Sequence, residues 1–196
     1  VLLAGDGASP EGVYPFLDEL SLETAKTKRL WRASGESYES VVTVLDDRGR
    51  QRVTVAESKT EPPNYFVRKG KKAKAITKFA DWAPQFAEVK KELVTYTRDD
   101  GLELSATVYT PPGWTPADGP LPTVFWVYPR EFKSRKDAGQ VTSSDNTFSR
   151  PYGSSHLFLL LQGYAVVDNP TIPVLGEGEE EPNDRYVEQL VSGAKA

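Results

Sequence analysis

The run PTVFWVYPR, residues 122–130, decides how the rest of the chain is interpreted. Its six central residues, 123–128, are all β-branched or aromatic, and a proline lies on each side of them. An apolar run of this length between prolines is typical of a strand buried on both faces of a parallel sheet, and it is too short for a buried helix. A charged segment that begins with Arg130 and Glu131 follows directly. Open α/β sheets bind ligands in the crevice where such strands end, so we expect a ligand site here.

The composition excludes several kinds of site. The chain of 196 residues has no Cys, which excludes disulfides, thiolate ligands and a cysteine nucleophile, and a single His, which excludes a metal site built from several imidazoles. The formal net charge of −4 gives no reason to expect nucleic acid binding. No apolar stretch approaches the roughly 20 residues that cross a bilayer. We therefore expect no metal, cofactor, nucleic acid or membrane partner, and the compartment stays open.

The first residues, VLLAGDG, have no basic leader and no long apolar core, so they do not predict a secretory signal. They also lack an initiator Met and begin inside an apparent strand. Together these features suggest a piece of a longer chain.

Residues 1–79 are predicted to be all β. Short strand-like runs separated by turn signals occur at residues 15–22, 28–31, 41–45, 51–57, 64–68 and 74–78. The last four runs together cover about 40 residues, which is close to the length of one four-stranded propeller blade. An ordinary antiparallel meander fits the same pattern, so the sequence pattern leaves both architectures open.

Residues 80–91 have no sustained periodicity, and we place a linker between two domains there. Beyond it, runs at residues 92–96 and 102–109 flank Asp100-Gly101, which predicts a β-hairpin. After the apolar run, residues 155–162 predict a short helix that ends at Gly163, and residues 164–168 predict a second buried strand. A helix between two buried strands predicts a right-handed crossover and therefore a parallel pair.

Two further segments complete the second part. Residues 130–153 are predicted to form a long polar loop, and loops of that length inside a domain are usually functional or mobile. A helix is predicted from Pro182 onward, and its apolar stripe consists of Tyr186, Val187, Leu190, Val191 and Ala194. The second part therefore predicts the opening half of a doubly wound α/β sheet, with an open strand edge.

No nucleophile can be assigned from motifs. The chain has no G-x-S-x-G, and Ser192 on the last predicted helix is expected to be a surface or packing residue. His156 begins an apolar helix and is expected to be a capping or half-buried residue and not a general base. The acidic residues 177–181 lack the spaced ligands of a Ca²⁺ loop and predict a solvated loop. The basic segment after the apolar run either binds an acidic ligand through arginine contacts or is simply solvated.

Five runs carry a resemblance to a known family. They are GASPEGVYPF (7–16), EPPNYF (61–66), YTRDDGLELSATVYTPPGW (96–114), LPTVFWVYPREFKS (121–134) and GYAVVDNPTIPVLGEGEEEPNDRYVEQLVSGA (163–194). In these runs the chain resembles the glutamyl endopeptidases of the prolyl oligopeptidase family of serine peptidases. The resemblance implies one or more C-terminal β-propeller blades in residues 1–79, a linker in 80–91, and the N-terminal half of an α/β-hydrolase domain in 92–196.

The resemblance implies one catalytic residue. Relatives place a Tyr at the end of the corresponding strand, where its hydroxyl donates to the oxyanion of the tetrahedral intermediate, and Tyr128 matches that position. In relatives the nucleophilic Ser, the Asp and the His all lie after the helix at which this sequence stops, and neither His156 nor Ser192 matches them. The 196-residue segment alone is therefore expected to be inactive.

The residues after Tyr128 indicate a branch of the family. Most relatives carry Gly-Gly-Pro or a similar sequence there, whereas this chain has Pro129-Arg130-Glu131, which resembles the glutamyl branch. Cleavage after Glu needs a cation near the substrate side chain. Arg130, Lys133 and Arg150 are substrate-binding candidates by location, and Arg130 is the first choice.

The leading hypothesis is a segment of a serine endopeptidase that cleaves after glutamate through an acyl-enzyme. Its expected partners are a peptide substrate and the remainder of the same enzyme. Two alternatives remain open: an aminopeptidase or acyl-peptide hydrolase of the same family, and a non-catalytic interaction module.

Overall fold

The computed structural model describes residues Val1–Ala196, which divide into two compact units. The first unit comprises residues 1–84 together with 146–149, and the second comprises residues 85–145 and 150–196. A 3₁₀ helix at Pro84–Phe86 lies where the chain passes from the first unit to the second.

The first unit is built from β-strands. In chain order they are β1 Leu2–Gly5, β2 Ala8–Ser9, β3 Gly12–Val13, β4 Phe16–Leu20, β5 Thr27–Arg32, β6 Tyr38–Val44, β7 Gln51–Glu57, β8 Asn64–Lys69 and β9 Lys72–Ala75. Strands β6 to β9 form a four-stranded antiparallel meander in chain order, and β4 lies between β1 and β5 in a three-stranded sheet. The meander overlaps the four runs predicted between residues 41 and 78, and its last strand ends three residues before the last predicted run does. These sheets are open, and they do not close into a propeller.

Two arginines on the meander contact a carboxylate or an aromatic ring. Arg68 on β8 donates two hydrogen bonds to the carboxylate of Glu39 on β6, at 2.8 and 2.7 Å. The guanidinium of Arg52 on β7 lies 5.2 Å from the ring centroid of Trp31 on β5, so the two larger sheets touch through a cation–π contact. Pairing of this kind offsets the cost of removing charges from water.

The second unit is mixed α and β. Its strands are β10 Lys90–Thr97, β11 Glu103–Thr110, β12 Thr123–Trp126, β13 Arg130–Phe132, β14 Ala165–Asp168 and β15 Pro173–Leu175. Its α-helices are α1 Arg135–Ala138 and α2 Tyr186–Lys195, and its 3₁₀ helices are Pro116–Asp118, His156–Gln162 and Pro182–Arg185.

Four strands of the second unit form one sheet in the order β10-β11-β14-β12. Strands β10 and β11 are a hairpin with eight residue pairs, β14 runs antiparallel to β11, and β12 runs parallel to β14. The 3₁₀ helix before β14 ends at Gly163, whose φ of 83° is the left-handed conformation that favours glycine. The predicted hairpin, the parallel pair and the helix end at Gly163 are confirmed.

The apolar run is a strand, but the prediction that both its faces are buried is wrong. β12 is the edge strand of this sheet and pairs only with β14. Phe125 is 65% exposed and Trp126 is 57% exposed. The composition of a run predicts which residues favour a strand, whereas burial depends on neighbouring elements, and β12 has a neighbouring strand on one side only.

The predicted polar loop at 130–153 contains regular structure. β13 pairs in parallel with β15, and Ser134 caps α1 by accepting a hydrogen bond from the Asp137 N–H at 3.2 Å. Both strands have three residues, which is too short for a periodic pattern, and β15 begins with a proline.

The predicted stripe of α2 is also partly wrong. Val187, Val191 and Ala194 are exposed, and the buried positions are Gln189 and Gly193. Gly193 lies against Ile172, and a Cβ on this glycine would come within 3.1 Å of that side chain. The buried face of the helix therefore consists of a small residue and a polar residue. A stripe of apolar residues cannot predict such a face.

Candidate functional site

Tyr128 lies two residues beyond the end of β12, at the sheet edge where the carboxyl ends of β12 and β14 meet. Its side chain is 81% exposed. It lines a cavity of about 120 Å³, and the other polar residues of its lining include Ser105 on β11, Arg130 at the start of β13, and Asn169 and Thr171 in the β14–β15 connection. The Tyr128 side chain is therefore largely exposed beside this cavity and is not packed into the core.

Arg130 is held by its backbone and not by an ion pair. Its N–H donates to the Ile172 carbonyl at 3.2 Å, and Arg130 lies opposite Pro173 in the parallel pair of β13 with β15. Its guanidinium makes no ion pair. The cavity therefore combines a phenol donor with an uncompensated positive charge, a combination that suits an oxyanion or a carboxylate.

The inner wall of this cavity is tied together by hydrogen bonds between Ser105 and Thr171. The Ser105 N–H donates to Thr171 Oγ1 at 2.7 Å, and the Thr171 N–H donates to the Ser105 carbonyl at 2.8 Å. The Thr171 hydroxyl donates to the same carbonyl at 3.1 Å. These bonds hold the β14–β15 connection on the central strand β11.

The other two substrate-binding candidates lie elsewhere. Lys133 pairs with Glu181 at 2.7 Å and does not line the cavity of Tyr128. Arg150 lines a second, more open cleft of about 580 Å³, together with Tyr152, Trp126 and His156. The structure thus brings Tyr128 and Arg130 together, and it leaves Lys133 and Arg150 outside that cavity.

The second cleft contains the single histidine. His156 Nε2 lies 2.9 Å from Asp168 Oδ1, and the imidazole stacks on the indole of Trp126 with a centroid distance of 4.7 Å and an interplanar angle of 15°. The side chains of His156 and Asp168 are only 16% and 18% exposed. His156 is half-buried, as predicted, but the helix cap is Ser155, whose Oγ accepts from the Leu157 N–H at 3.3 Å. Neither ring nitrogen of His156 contacts a serine hydroxyl, so no Ser–His pair is present.

Asn169 lines both cavities. It follows β14 directly, its φ is 48°, and its N–H donates to the Trp126 carbonyl at 2.9 Å. As a sequence pattern, Asn169-Pro170 predicts only the end of a strand. The signal that indicates more is the residue type, because Asn tolerates the left-handed conformation better than other side chains that bear a Cβ.

The remaining predictions concern absent sites. No group of three or more His, Asp or Glu residues is arranged to hold a metal ion, and no helix is long and apolar enough to cross a membrane. Glu177 and Glu179–Glu181 are exposed, as expected for a solvated loop. Ser192 is half-buried on α2.

Comparison with curated proteins finds relatives that match the whole chain. They are proteins from Arabidopsis thaliana and from Oryza sativa subsp. japonica, each named a probable chloroplastic glutamyl endopeptidase. Each is 45% identical over 208 residues, which cover 100% of this chain and 22% of the relative. The chain therefore spans about a fifth of the length of these relatives.

Among solved structures, dipeptidyl peptidase 4 of Porphyromonas gingivalis matches with a TM-score of 0.60 and 14% identity, over 100% of this chain and 27% of that one. A post-proline cleaving enzyme of Rickettsia typhi matches with a TM-score of 0.56 and 16% identity, over 100% of this chain and 26% of that one. At these identities the likeness shows the fold alone.

No family model matches the chain. The resemblance predicted from the sequence runs is nevertheless confirmed, since two probable glutamyl endopeptidases match this chain over its whole length at 45% identity.

Proposed function

We propose that this chain is part of a serine endopeptidase that hydrolyses peptide bonds after glutamate through an acyl-enzyme. In this proposal the chain supplies the oxyanion donor Tyr128 and part of the substrate cleft, and it supplies no triad residue. Its partners are a peptide substrate and the remainder of the same enzyme. The proposal takes residues 1–79 as the last blade or blades of a propeller, 80–91 as a linker, and 92–196 as the start of the hydrolase domain.

The observation that supports the proposal best is the position of Tyr128. Strand β12 ends two residues before it, its side chain lines a cavity with polar lining residues, and Arg130, whose guanidinium makes no ion pair, lines the same cavity. When a serine attacks a peptide carbonyl, the carbonyl oxygen becomes an oxyanion, and a preorganised O–H donor stabilises it more than the ground state. A phenol beside a cavity that Arg130 also lines suits that role.

Arg130 supports the specificity part of the proposal. A guanidinium can bind a carboxylate through two parallel, charge-assisted hydrogen bonds. A glutamine side chain is uncharged and therefore binds the same guanidinium more weakly. Lys133 is less suited because Glu181 already neutralises it, and Arg150 remains a second candidate in the neighbouring cleft. The names of the plant relatives favour the same specificity.

The test is Tyr128→Phe in the complete protein. Removing one oxyanion donor costs about 100- to 1,000-fold in kcat, and we expect a loss of that order with little change in KM. Tyr164→Phe is the matched control, because Tyr164 is partly exposed in the same unit and lines neither cavity. An unchanged kcat in a folded Tyr128→Phe protein would exclude the oxyanion role.

Peptide profiling of the complete protein separates the alternatives. Internal cleavage after glutamate supports the endopeptidase. Release of single N-terminal or acylated residues supports an aminopeptidase or acyl-peptide hydrolase, and no hydrolysis at all supports an interaction module.

A further inference from the structure

Trp126, the last residue of β12, has three neighbours that bear on its position. Its indole stacks on the imidazole of His156, its carbonyl accepts a hydrogen bond from the N–H of Asn169, and it lies opposite Asp168 in the parallel register. His156 Nε2 and Asp168 Oδ1 are 2.9 Å apart, which joins the 3₁₀ helix to the same strand end. Trp126, His156 and Asp168 therefore form a closed set of contacts, which we call the strand-end clamp.

The clamp matters because β12 is an edge strand. It has hydrogen-bonded neighbours on one side only, and its side chains at 125 and 126 are mostly exposed. An edge with so little packing has few other contacts to fix its last residue. The stacked rings are the only ring–ring contact that Trp126 makes.

Tyr128 is placed by what holds the chain on each side of it. Upstream, the clamp holds Trp126, which is two residues or about 7 Å away along an extended chain. Downstream, the Arg130 N–H is bonded to the Ile172 carbonyl, and β13 begins. Residues 127–129 carry no regular structure, so displacement of either anchor displaces the phenol.

We propose that His156 is a positioning residue for Tyr128. It acts through the ring face that it presents to Trp126, and Asp168 orients that ring. This inference rests on the proposed oxyanion role of Tyr128. His156 touches no reacting atom in this scheme, and the loss of its ring shifts the donor away from the developing charge.

A purely structural histidine would behave differently. It would hold the helix on the sheet, and its loss would lower stability and reduce catalysis equally whether or not Tyr128 carries its hydroxyl. A positioning histidine loses its effect on kcat once that hydroxyl is absent. Coupling between the two residues therefore distinguishes the two roles.

The variant to use is His156→Gln in the complete protein, because glutamine keeps a hydrogen-bonding group for Asp168 and removes the stacked ring. We expect kcat to fall by about 10- to 100-fold, since misplacement of a catalytic group by roughly 1 Å costs up to that much. KM should stay nearly constant. His156→Phe keeps an aromatic face against Trp126 and should recover most of kcat.

The decisive measurement repeats His156→Gln in the Tyr128→Phe background. We expect a further loss of less than about twofold there, which is no larger than the usual deviation from additivity between mutations. An equal fold-loss in both backgrounds would overturn the positioning role, and so would wild-type kcat in a folded His156→Gln protein. A Tyr128→Phe protein with wild-type kcat would instead exclude the oxyanion role of Tyr128, the part of the proposed function on which this inference rests.

Circular dichroism and the thermal midpoint show whether each variant folds. If His156→Gln does not fold, Trp126→Leu removes the same ring stack from its other side. A loss of kcat in Trp126→Leu that disappears in the Tyr128→Phe background supports the positioning role, and an additive loss overturns it.

Discussion

Gln189 on α2 and Leu175 on β15 exchange two hydrogen bonds. The side-chain Nε2 of Gln189 donates to the Leu175 carbonyl at 2.8 Å, and the Leu175 N–H donates to Gln189 Oε1 at 2.9 Å. Both residues are buried, and β15 pairs with a strand on one side only. The side-chain amide therefore takes the place of a second neighbouring strand and satisfies backbone groups that have no access to water.

Gln189→Ala is expected to lower the free energy of unfolding by about 1–3 kcal/mol, because it leaves a buried N–H and a buried carbonyl without partners. Val187→Ala on the exposed face of the same helix is the control, and its change should stay within about 0.5 kcal/mol. Denaturant unfolding of the two variants beside the wild type measures the difference. Equal stability of the two variants would contradict the role of the amide.

Gln189 is a part of the fold that the sequence pattern does not predict. The apolar stripe of α2 includes Val187 and Val191, which are exposed, and it does not include Gln189. A buried glutamine is recognised only when its backbone partner is known, and that partner lies in a three-residue strand without a periodic signal. The β10–β11 hairpin, by contrast, was predictable because its turn and its strands are adjacent in sequence.

Asp100 predicts how stability depends on pH. Its carboxylate accepts hydrogen bonds from Arg98 at 3.0 and 2.9 Å, from Arg135 at 2.9 Å and from the Leu102 N–H at 3.2 Å. The bonds from Arg98, followed by those from Arg135 and the Leu102 amide, hold the pKa of Asp100 well below its ordinary value. The folded state therefore favours the ionised form, and the resulting stabilisation is complete above the unfolded pKa of about 3.9.

Asp100→Asn is accordingly expected to be less stable than the wild type at pH 7. The difference in stability between the two proteins should shrink as the pH falls below about 4. In that range the unfolded wild type takes up a proton on Asp100 more readily than the folded wild type does, which favours unfolding. Thermal midpoints of both proteins between neutral and acidic pH measure it. Exposed Asp99→Asn is the neighbouring control, and a difference for Asp100→Asn that does not depend on pH would exclude the ionic contribution.

Arg130→Glu tests the specificity part of the proposed function. A charge-assisted contact contributes about 1.5–3 kcal/mol, so its loss should lower the ratio of kcat/KM for glutamate over glutamine substrates by about 10- to 100-fold. Lys136→Glu makes the same charge change at an exposed position on α1 that lines neither cavity. Paired peptides that differ only at the residue before the cleaved bond report the ratio. An unchanged ratio in Arg130→Glu would reject this residue as the cation.

The candidate site was only partly accessible from the sequence. Tyr128 and Arg130 are two residues apart at a strand end, so local reasoning places them together. His156 and Asp168 are separated by a helix and a strand, and their contact depends on how the helix returns to the sheet. Trp126 was expected inside a sheet, because a strand pattern does not indicate that the strand lies at an edge.

Asn169 offers a test of backbone conformation beside the clamp. Its φ of 48° lies in the left-handed region, its N–H holds the Trp126 carbonyl, and its side chain makes no hydrogen bond. The residue is therefore required for its conformation, and Asn169→Gly should change the free energy of unfolding by less than Asn169→Ala, which should cost about 1 kcal/mol.

Asn169→Val should cost more than either variant, since a β-branched side chain tolerates this conformation least. Urea midpoints of the three variants establish the order, and single-turnover rates in the complete protein show whether displacement of the Trp126 carbonyl reaches Tyr128. If glycine and alanine destabilise the protein equally, the conformation does not explain the asparagine. In that case its side chain must contribute through a contact that the present geometry lacks.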